Sequence, residues 1–293
     1  MENIKILVPL DFSDLGSKAL HSAAVMAKLF SGSITPFHSY LPLNEVDGGP
    51  YTFGIGPTVV ENYEEIEEAL HERLSKLASE EVDQSLLTEP RISMGNAAQA
   101  ITEEAGEFDM IVMTTHGRTG FSRFFLGSVS EKVLRSSHLP VLIVNEKREL
   151  TAIDRIMLTT DFSEHSKKAF PYAKEIAQKT GAELELVNVI TVDAQNPEQE
   201  AQKKQLRKQR LEVLAKEELH EISDAVKTTI IASSTAPHEA ILNYNLSEPH
   251  DLIVMSTVGR TGIDYLMMGS TTANVVRHVK SPVLSINPRT NAE

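Results

Sequence analysis

The chain of 293 residues contains no cysteine. That absence excludes disulfides, thiolate nucleophiles and thiolate-ligated iron–sulfur or zinc centres. Cationic side chains are also scarce: 28 Lys and Arg stand against 41 Asp and Glu, a net charge of −13. The overall field therefore repels phosphate backbones and anionic lipid surfaces, and general nucleic-acid binding is disfavoured. No apolar run reaches the ~18 residues of a membrane-spanning helix. The start, M-E-N-I-K-I-L-V-P, runs directly into a strand-like segment without the basic region and cleavage site of a secretory leader. A soluble, cytoplasmic protein is expected. Several chemical signatures are missing as well. There is no G-x-x-x-x-G-K-[ST] loop, Gly54-Ile55-Gly56 lacks the third glycine of a dinucleotide fingerprint, and no G-x-S-x-G elbow occurs. His71-Glu72 and His220-Glu221 lack a second histidine four residues after the first, so no metal site is expected.

What the chain does contain, it contains twice. K-I-L-V-P-L-D-F-S from Lys5 to Ser13 aligns with R-I-M-L-T-T-D-F-S from Arg155 to Ser163, an offset of 150 that places Asp11 on Asp161. Further on, D-M-I-V-M-T-T-H-G-R-T-G from Asp109 aligns with D-L-I-V-M-S-T-V-G-R-T-G from Asp251, and P-V-L-I-V-N from Pro140 with P-V-L-S-I-N from Pro282, both at an offset of 142. The first half thus carries about eight extra residues, and the Gly- and Pro-rich stretch from Gly48 to Pro57 is where they fit as a loop. The charged run from Asn145 to Ala152 reads as the linker, giving domains at residues 1–147 and 151–293.

Within each half, buried-strand runs alternate with helical periodicity. Ile4 to Val8, Met110 to Met113, Val141 to Val144 and Leu184 to Ile190 read as strands. Ser13 and Ser163 are candidate N-caps of the helices that follow, with Gly32 and Gly181 as their stops. Glu61 to Ser79 and Gln199 to Ile222 read as long charged helices, and Ser128 to about Ser136 as a final helix of the first half. This alternation predicts α/β domains, each a doubly wound parallel sheet of about five strands. The apolar end strands Val141 to Val144 and Val283 to Ile286 would, if uncovered, be edges prone to pairing.

In such sheets ligands bind beyond the carboxyl ends of the strands, where strand order reverses. Asp11 and Asp161 end the first strand of each half, and Thr114 and Ser256 open the segment after the fourth. Gly127-Ser128 and Gly269-Ser270 start a helix, whose free N–H groups favour an anion. Ser128, Ser130, Ser270, Thr271 and Thr272 are candidate hydroxyl donors, and a strand-end Asp is a candidate acceptor for a ribose hydroxyl or an amine. Each feature also has a bland reading. The aspartates could cap the next helix, His116 could satisfy a turn, and Arg118 and Arg260 could be solvated. The basic run from Lys203 to Arg210, flanked by Glu198, Glu200, Glu212, Glu217 and Glu218, reads as a solvated helix face.

The stretch T-T-H-G-R-T-G-F-S-R-F-F-L-G-S-V-S-E-K-V-L-R, the strand end V-P-L-D and the closing P-V-L-I-V resemble the universal stress protein (UspA-type) family, here in tandem over almost the whole chain. The resemblance implies an adenine nucleotide alpha hydrolase-like fold, with the two halves related by a pseudo-two-fold. It also implies ATP, or ADP or AMP, with Mg²⁺ as accompanying ion, held by a G-x2-G-x9-G-[ST] motif. Gly117, Gly127 and Ser128 match that motif in the first half, and Gly259, Gly269 and Ser270 in the second. Thr114 and Ser256 replace its first glycine, and Val258 stands where the first half has His116. The remaining implied contacts fall on Pro9, Leu10, Asp11, Ser39, Met113, Arg118, Val129 and Ser130, and on Thr159, Thr160, Asp161, Val189, Met255, Arg260, Thr271 and Thr272. Three functional classes follow: a nucleotide-binding stress-response module, a slow ATPase, and a scaffold with degenerate pockets. The partners implied are a small nucleotide, an intrachain pseudo-dimer, and a second copy of the chain.

Overall fold

The computed structural model describes residues 1–41, 63–115, 126–192, 197–259 and 268–289. β1 (Lys5–Pro9) carries three consecutive fully buried residues, Ile6, Leu7 and Val8. Successive side chains on a strand point to opposite faces, so an unbroken apolar run means that both faces are covered. Consecutive buried residues likewise mark β4 (Met110–Thr114), β5 (Val141–Val144), β6 (Arg155–Thr159), β9 (Leu252–Ser256) and β10 (Val283–Ile286), the last interrupted in its apolar run by Ser285. These six strands form the middle of the sheet. β2 (Ser33–Tyr40) and β7 (Glu183–Thr191) flank them, with the more polar β3 (Arg91–Met94) and β8 (Val226–Ser233) at the edges.

Each half has the doubly wound order, β3-β2-β1-β4-β5 and β8-β7-β6-β9-β10, with parallel pairing throughout. The end strands then pair antiparallel, Val283 with Ile143, Leu284 with Leu142 and Ser285 with Val141, which joins the two units into one ten-stranded sheet. This is the internal edge pairing expected of those strands. The core runs across the seam on both faces. Ile6, Leu142, Ile156 and Leu284 belong to one cluster, and Leu7, Ile143, Met157 and Val283 to the other. Two asparagines at equivalent positions fasten the seam reciprocally. Asn145 Nδ2 donates to the Val279 and Lys280 carbonyls at 2.9 and 2.7 Å, and Asn287 Nδ2 to the Arg135 carbonyl at 3.4 Å.

The helices of the first half are α1 (Gly16–Leu29), α2 (Tyr63–Glu81), α3 (Ala97–Glu104) and α4 (Ser128–Ser136). Those of the second are α5 (Glu164–Lys167), α6 (Phe170–Thr180), α7 (Pro197–Glu218), α8 (Pro237–Ser247) and α9 (Ser270–His278). Ser163 caps α5 as expected, accepting the Ser166 N–H at 3.1 Å. Ser13 does not cap α1, because the helix begins three residues later with Leu15 at the cap position; its hydroxyl donates instead to Asp11 Oδ1 at 2.6 Å. Gly181 ends α6 in the left-handed conformation at φ 74°. The backbone packs tightly at Gly32, where a Cβ would lie 2.2 Å from the Ile4 carbonyl oxygen. The loop expected from Gly48 to Pro57 lies outside the described residues.

The halves also differ at the amino ends of their strands. Glu185 in β7 is fully buried and accepts from His250 Nε2 at 3.0 Å, from Tyr244 OH at 2.6 Å, from Lys227 Nζ at 3.1 Å and from Thr229. The first half has Thr35 and Phe108 at the positions of Glu185 and His250, and Thr35 bonds Thr88 at 2.7 Å. Among the described residues no helix is long and apolar enough to cross a membrane.

Candidate functional site

Strand order reverses between β1 and β4, and again between β6 and β9, and a cleft opens at the carboxyl ends of the strands at each reversal. Their volumes are ≈ 270 Å³ and ≈ 240 Å³. The first cleft gathers Pro9, Leu10 and Asp11 from the end of β1, Ser39 from β2, Met113 and Thr114 from β4, and Gly127 to Ser130 from the start of α4. The second gathers Thr159, Thr160 and Asp161 after β6, Val189 from β7, Met255, Ser256 and Gly259 around the end of β9, and Gly269 to Thr272 at the start of α9. Every candidate site residue that is described therefore lines one of the two clefts. His116, Gly117, Arg118 and Arg260 lie outside the described residues.

Each cleft is built on a strained turn. Asp11 Oδ1 accepts both the N–H and the hydroxyl of Ser13, at 3.1 and 2.6 Å, and Asp161 Oδ1 does the same with Ser163 at 2.9 and 2.6 Å. Between each pair stands a phenylalanine in left-handed backbone, Phe12 at φ 60° and Phe162 at φ 65°. That conformation costs a bulky residue about 1–3 kcal/mol and persists only where the surroundings enforce it. Arginines from the long helices supply part of that enforcement. Arg73 of α2 lies 4.2 Å from the Phe12 ring centroid, and Arg210 and Arg207 of α7 lie 4.5 and 5.4 Å from that of Phe162. Two members of the basic run are thus packed against the second turn, while the run as a whole lies on an exposed helix face as expected.

The opposite wall is a helix N-terminus. Gly127 and Gly269 occupy the N-cap positions of α4 and α9, and no side chain caps either helix. Their own N–H groups bond the Thr115 and Thr257 carbonyls at 2.8 and 2.7 Å, which fixes where each helix starts. The first-turn N–H groups and the positive end of the dipole are then presented at the cleft. Not every expected donor serves there. Ser130 and Thr272 are buried and give their hydroxyl protons to the carbonyls of Thr114 and Ser256, at 2.8 and 2.7 Å. They tie helix to strand instead of facing a ligand, a correction to their reading as donors. Ser256, at the position of the missing motif glycine, likewise turns its hydroxyl inward to the Val258 carbonyl at 3.0 Å.

The glycines hold the backbone close. A Cβ on Gly259 would sit 2.7 Å from Asp161 Oδ2, so an alanine there would displace the carboxylate from the cleft wall. On Gly269 a Cβ would meet the Thr257 carbonyl oxygen at 3.2 Å. Two residues that sequence reasoning passed over complete the walls. His38 at the end of β2 places Nδ1 2.6 Å from the Leu10 carbonyl, and Asn188 in β7 donates Nδ2 to the Thr160 carbonyl at 2.7 Å. Both pin the residue before the aspartate. The offset of 150 that pairs Asp11 with Asp161 also pairs His38 with Asn188, and that was the signal available.

These features define a duplicated, doubly wound α/β protein that carries, in each half, an uncapped helix N-terminus across a strand-end cleft from a carboxylate. Comparison with known proteins makes the assignment specific. The chain belongs to the universal stress protein family, whose model matches residues 3–145 and again 152–287. A universal stress protein of Methanocaldococcus jannaschii is 31% identical over 151 residues, covering 50% of this chain and 84% of that protein. One from Mycolicibacterium smegmatis is 25% identical over 293 residues, covering 97% of each. The crystal structure of a universal stress protein from Archaeoglobus fulgidus superposes with a TM-score of 0.70 at 22% identity, covering 100% of this chain and 98% of that one, which shows the fold.

Proposed function

We propose that the protein is a nucleotide-binding regulatory module in which each cleft takes an adenine nucleotide, ATP or its products ADP and AMP, and in which occupancy rather than turnover is the output. One observation carries the reading: in both halves an uncapped helix N-terminus stands across a cleft from a strand-end carboxylate, where strand order reverses. Backbone N–H groups of Ser128, Val129 and Ser130, and of Ser270, Thr271 and Thr272, would hold phosphate oxygens. Asp11 and Asp161, at the cleft wall, would accept from ribose hydroxyls. Gly259 and Gly269 fit such a ligand, since a side chain at either would fill the cradle or push its wall aside. Mg²⁺ would enter with the phosphates, because no group of three metal-ligating side chains exists among the described residues. The described residues of the clefts contribute no lysine or arginine to speed phosphoryl transfer. Slow hydrolysis is part of this proposal, since the sequence carries no dedicated general base and no arginine-plus-lysine clamp.

Calorimetric titration of the full chain with ATP and Mg²⁺ should give two sites, and Gly127→Val should remove one of them while the melting temperature is maintained. Absence of heat, with no nucleotide released on denaturing the freshly purified chain, would rule the reading out.

A further inference from the structure

The two clefts are not chemically equivalent. At the position where the first half places His38, the second places Asn188, which lines the cleft and is 3% exposed. Its Nδ2 is committed to the Thr160 carbonyl, and because a carbonyl accepts only from the NH₂ end, the amide orientation is fixed. The other end, Oδ1, is buried and has no partner among the described residues. An acceptor left unpaired away from water costs about 1–3 kcal/mol, so a group that supplies its donor recovers that cost on binding. The imidazole of His38 has no such oxygen, and it packs tilted at 51° against the Phe12 ring, 4.5 Å between centroids.

We infer that Asn188 makes the second cleft selective for a ligand carrying an N–H donor at the end remote from its anion, and hence for an amino-purine nucleotide over an oxo-purine one. The inference rests on the reading of the cleft as a nucleotide site. Asn188 sits on β7, and the site helix α9 follows β9, two strands away across β6. Adjacent strands lie about 4.8 Å apart, so the donor and the anion must be separated by roughly 10 Å. A nucleotide spans that distance between its phosphates and the edge of its base. A 6-amino group offers hydrogen to the amide oxygen, with Asn188 shifting slightly to meet it. A 6-oxo group would bring oxygen against oxygen and leave both unpaired.

The test compares ATP with inosine triphosphate, in which an oxo group replaces the 6-amino group. In the full chain carrying Gly127→Val, which confines binding to the second cleft, ATP should bind about tenfold or more tightly than inosine triphosphate. Adding Asn188→His keeps a donor for the Thr160 carbonyl but removes the amide oxygen, and the ratio should fall close to one with the melting temperature retained. The converse change supplies an independent arm: His38→Asn, with Gly259→Ala disabling the second cleft, should create the ATP preference in the first. Equal affinities in the Gly127→Val chain, a preference that survives Asn188→His, or no gain from His38→Asn would overturn the inference while leaving the nucleotide reading intact. If neither nucleotide binds to any variant or to the unmodified chain, the nucleotide reading fails and the selectivity fails with it.

Discussion

Glu185 is a carboxylate at the centre of a sheet, and its surroundings determine what it does. Burial pushes its carboxyl up, but hydrogen bonds from His250, Thr229, Tyr244 and Lys227 outweigh that effect and hold it well below the usual carboxylate range. Burial and the bond to Glu185 raise the Tyr244 hydroxyl above its ordinary value. A carboxyl whose folded value lies below its unfolded value contributes stability that is present above about pH 4.3 and lost as pH falls through the folded value. Glu185→Gln leaves His250, Lys227 and Arg155 around an uncharged amide. It should cost about 3–5 kcal/mol at pH 7, and the gap from wild type should narrow steadily as pH drops below about 4. Urea midpoints across that range would measure both effects, and a gap that stayed constant would remove the carboxylate's charge from the explanation. The first half needs no such network, because Thr35 stands in place of Glu185 and Phe108 fills the position of His250 with hydrocarbon.

At the scale of the element, β10 repeats the apolar character of β5 with one exception. Val141-Leu142-Ile143-Val144 is answered by Val283-Leu284-Ser285-Ile286, and Ser285, where the first half has Ile143, is buried with no partner for its hydroxyl among the described residues. Ser285→Val restores a β-branched apolar side chain and should stabilise the chain by about 1 kcal/mol, read as a higher urea midpoint at unchanged slope. The same two strands show why so much of the fold was legible. Short β-branched runs buried on both faces leave no ambiguity of period, and duplication let each half check the other. The edge elements were harder to see. β3 is four residues, R-I-S-M, partly exposed throughout, and α3 is eight residues long, so neither carries a strong pattern. The start of α1 was misplaced because Leu15, not Ser13, stands at its cap position, although Ser13 and Ser163 make the same bond to the aspartate two residues earlier. In the site, the strand-end aspartates and helix-start glycines were legible from spacing. His38 and Asn188 were not, because a side chain that bonds a neighbouring strand's carbonyl leaves no local periodicity.

At the scale of the whole molecule, the seam between β5 and β10 removes two edges that would otherwise be exposed. Residues 1–147 expressed alone would present β5 with nothing against it, and the near-identity of β5 and β10 makes a second copy the natural substitute. Light scattering on that fragment should give about twice its monomer mass, and Leu142→Lys should return it to one. A fragment that is monomeric from the outset would mean that the two halves recognise each other by something other than their end strands. The antiparallel sense of the seam has another consequence. Every strand of one half runs opposite to every strand of the other, so the two clefts open at opposite ends of the sheet. No single small molecule reaches both, and two proteins reading the occupancy of the two clefts would approach from opposite sides without colliding. If each cleft is occupied as proposed, the two occupancies would be read at opposite ends of one continuous sheet.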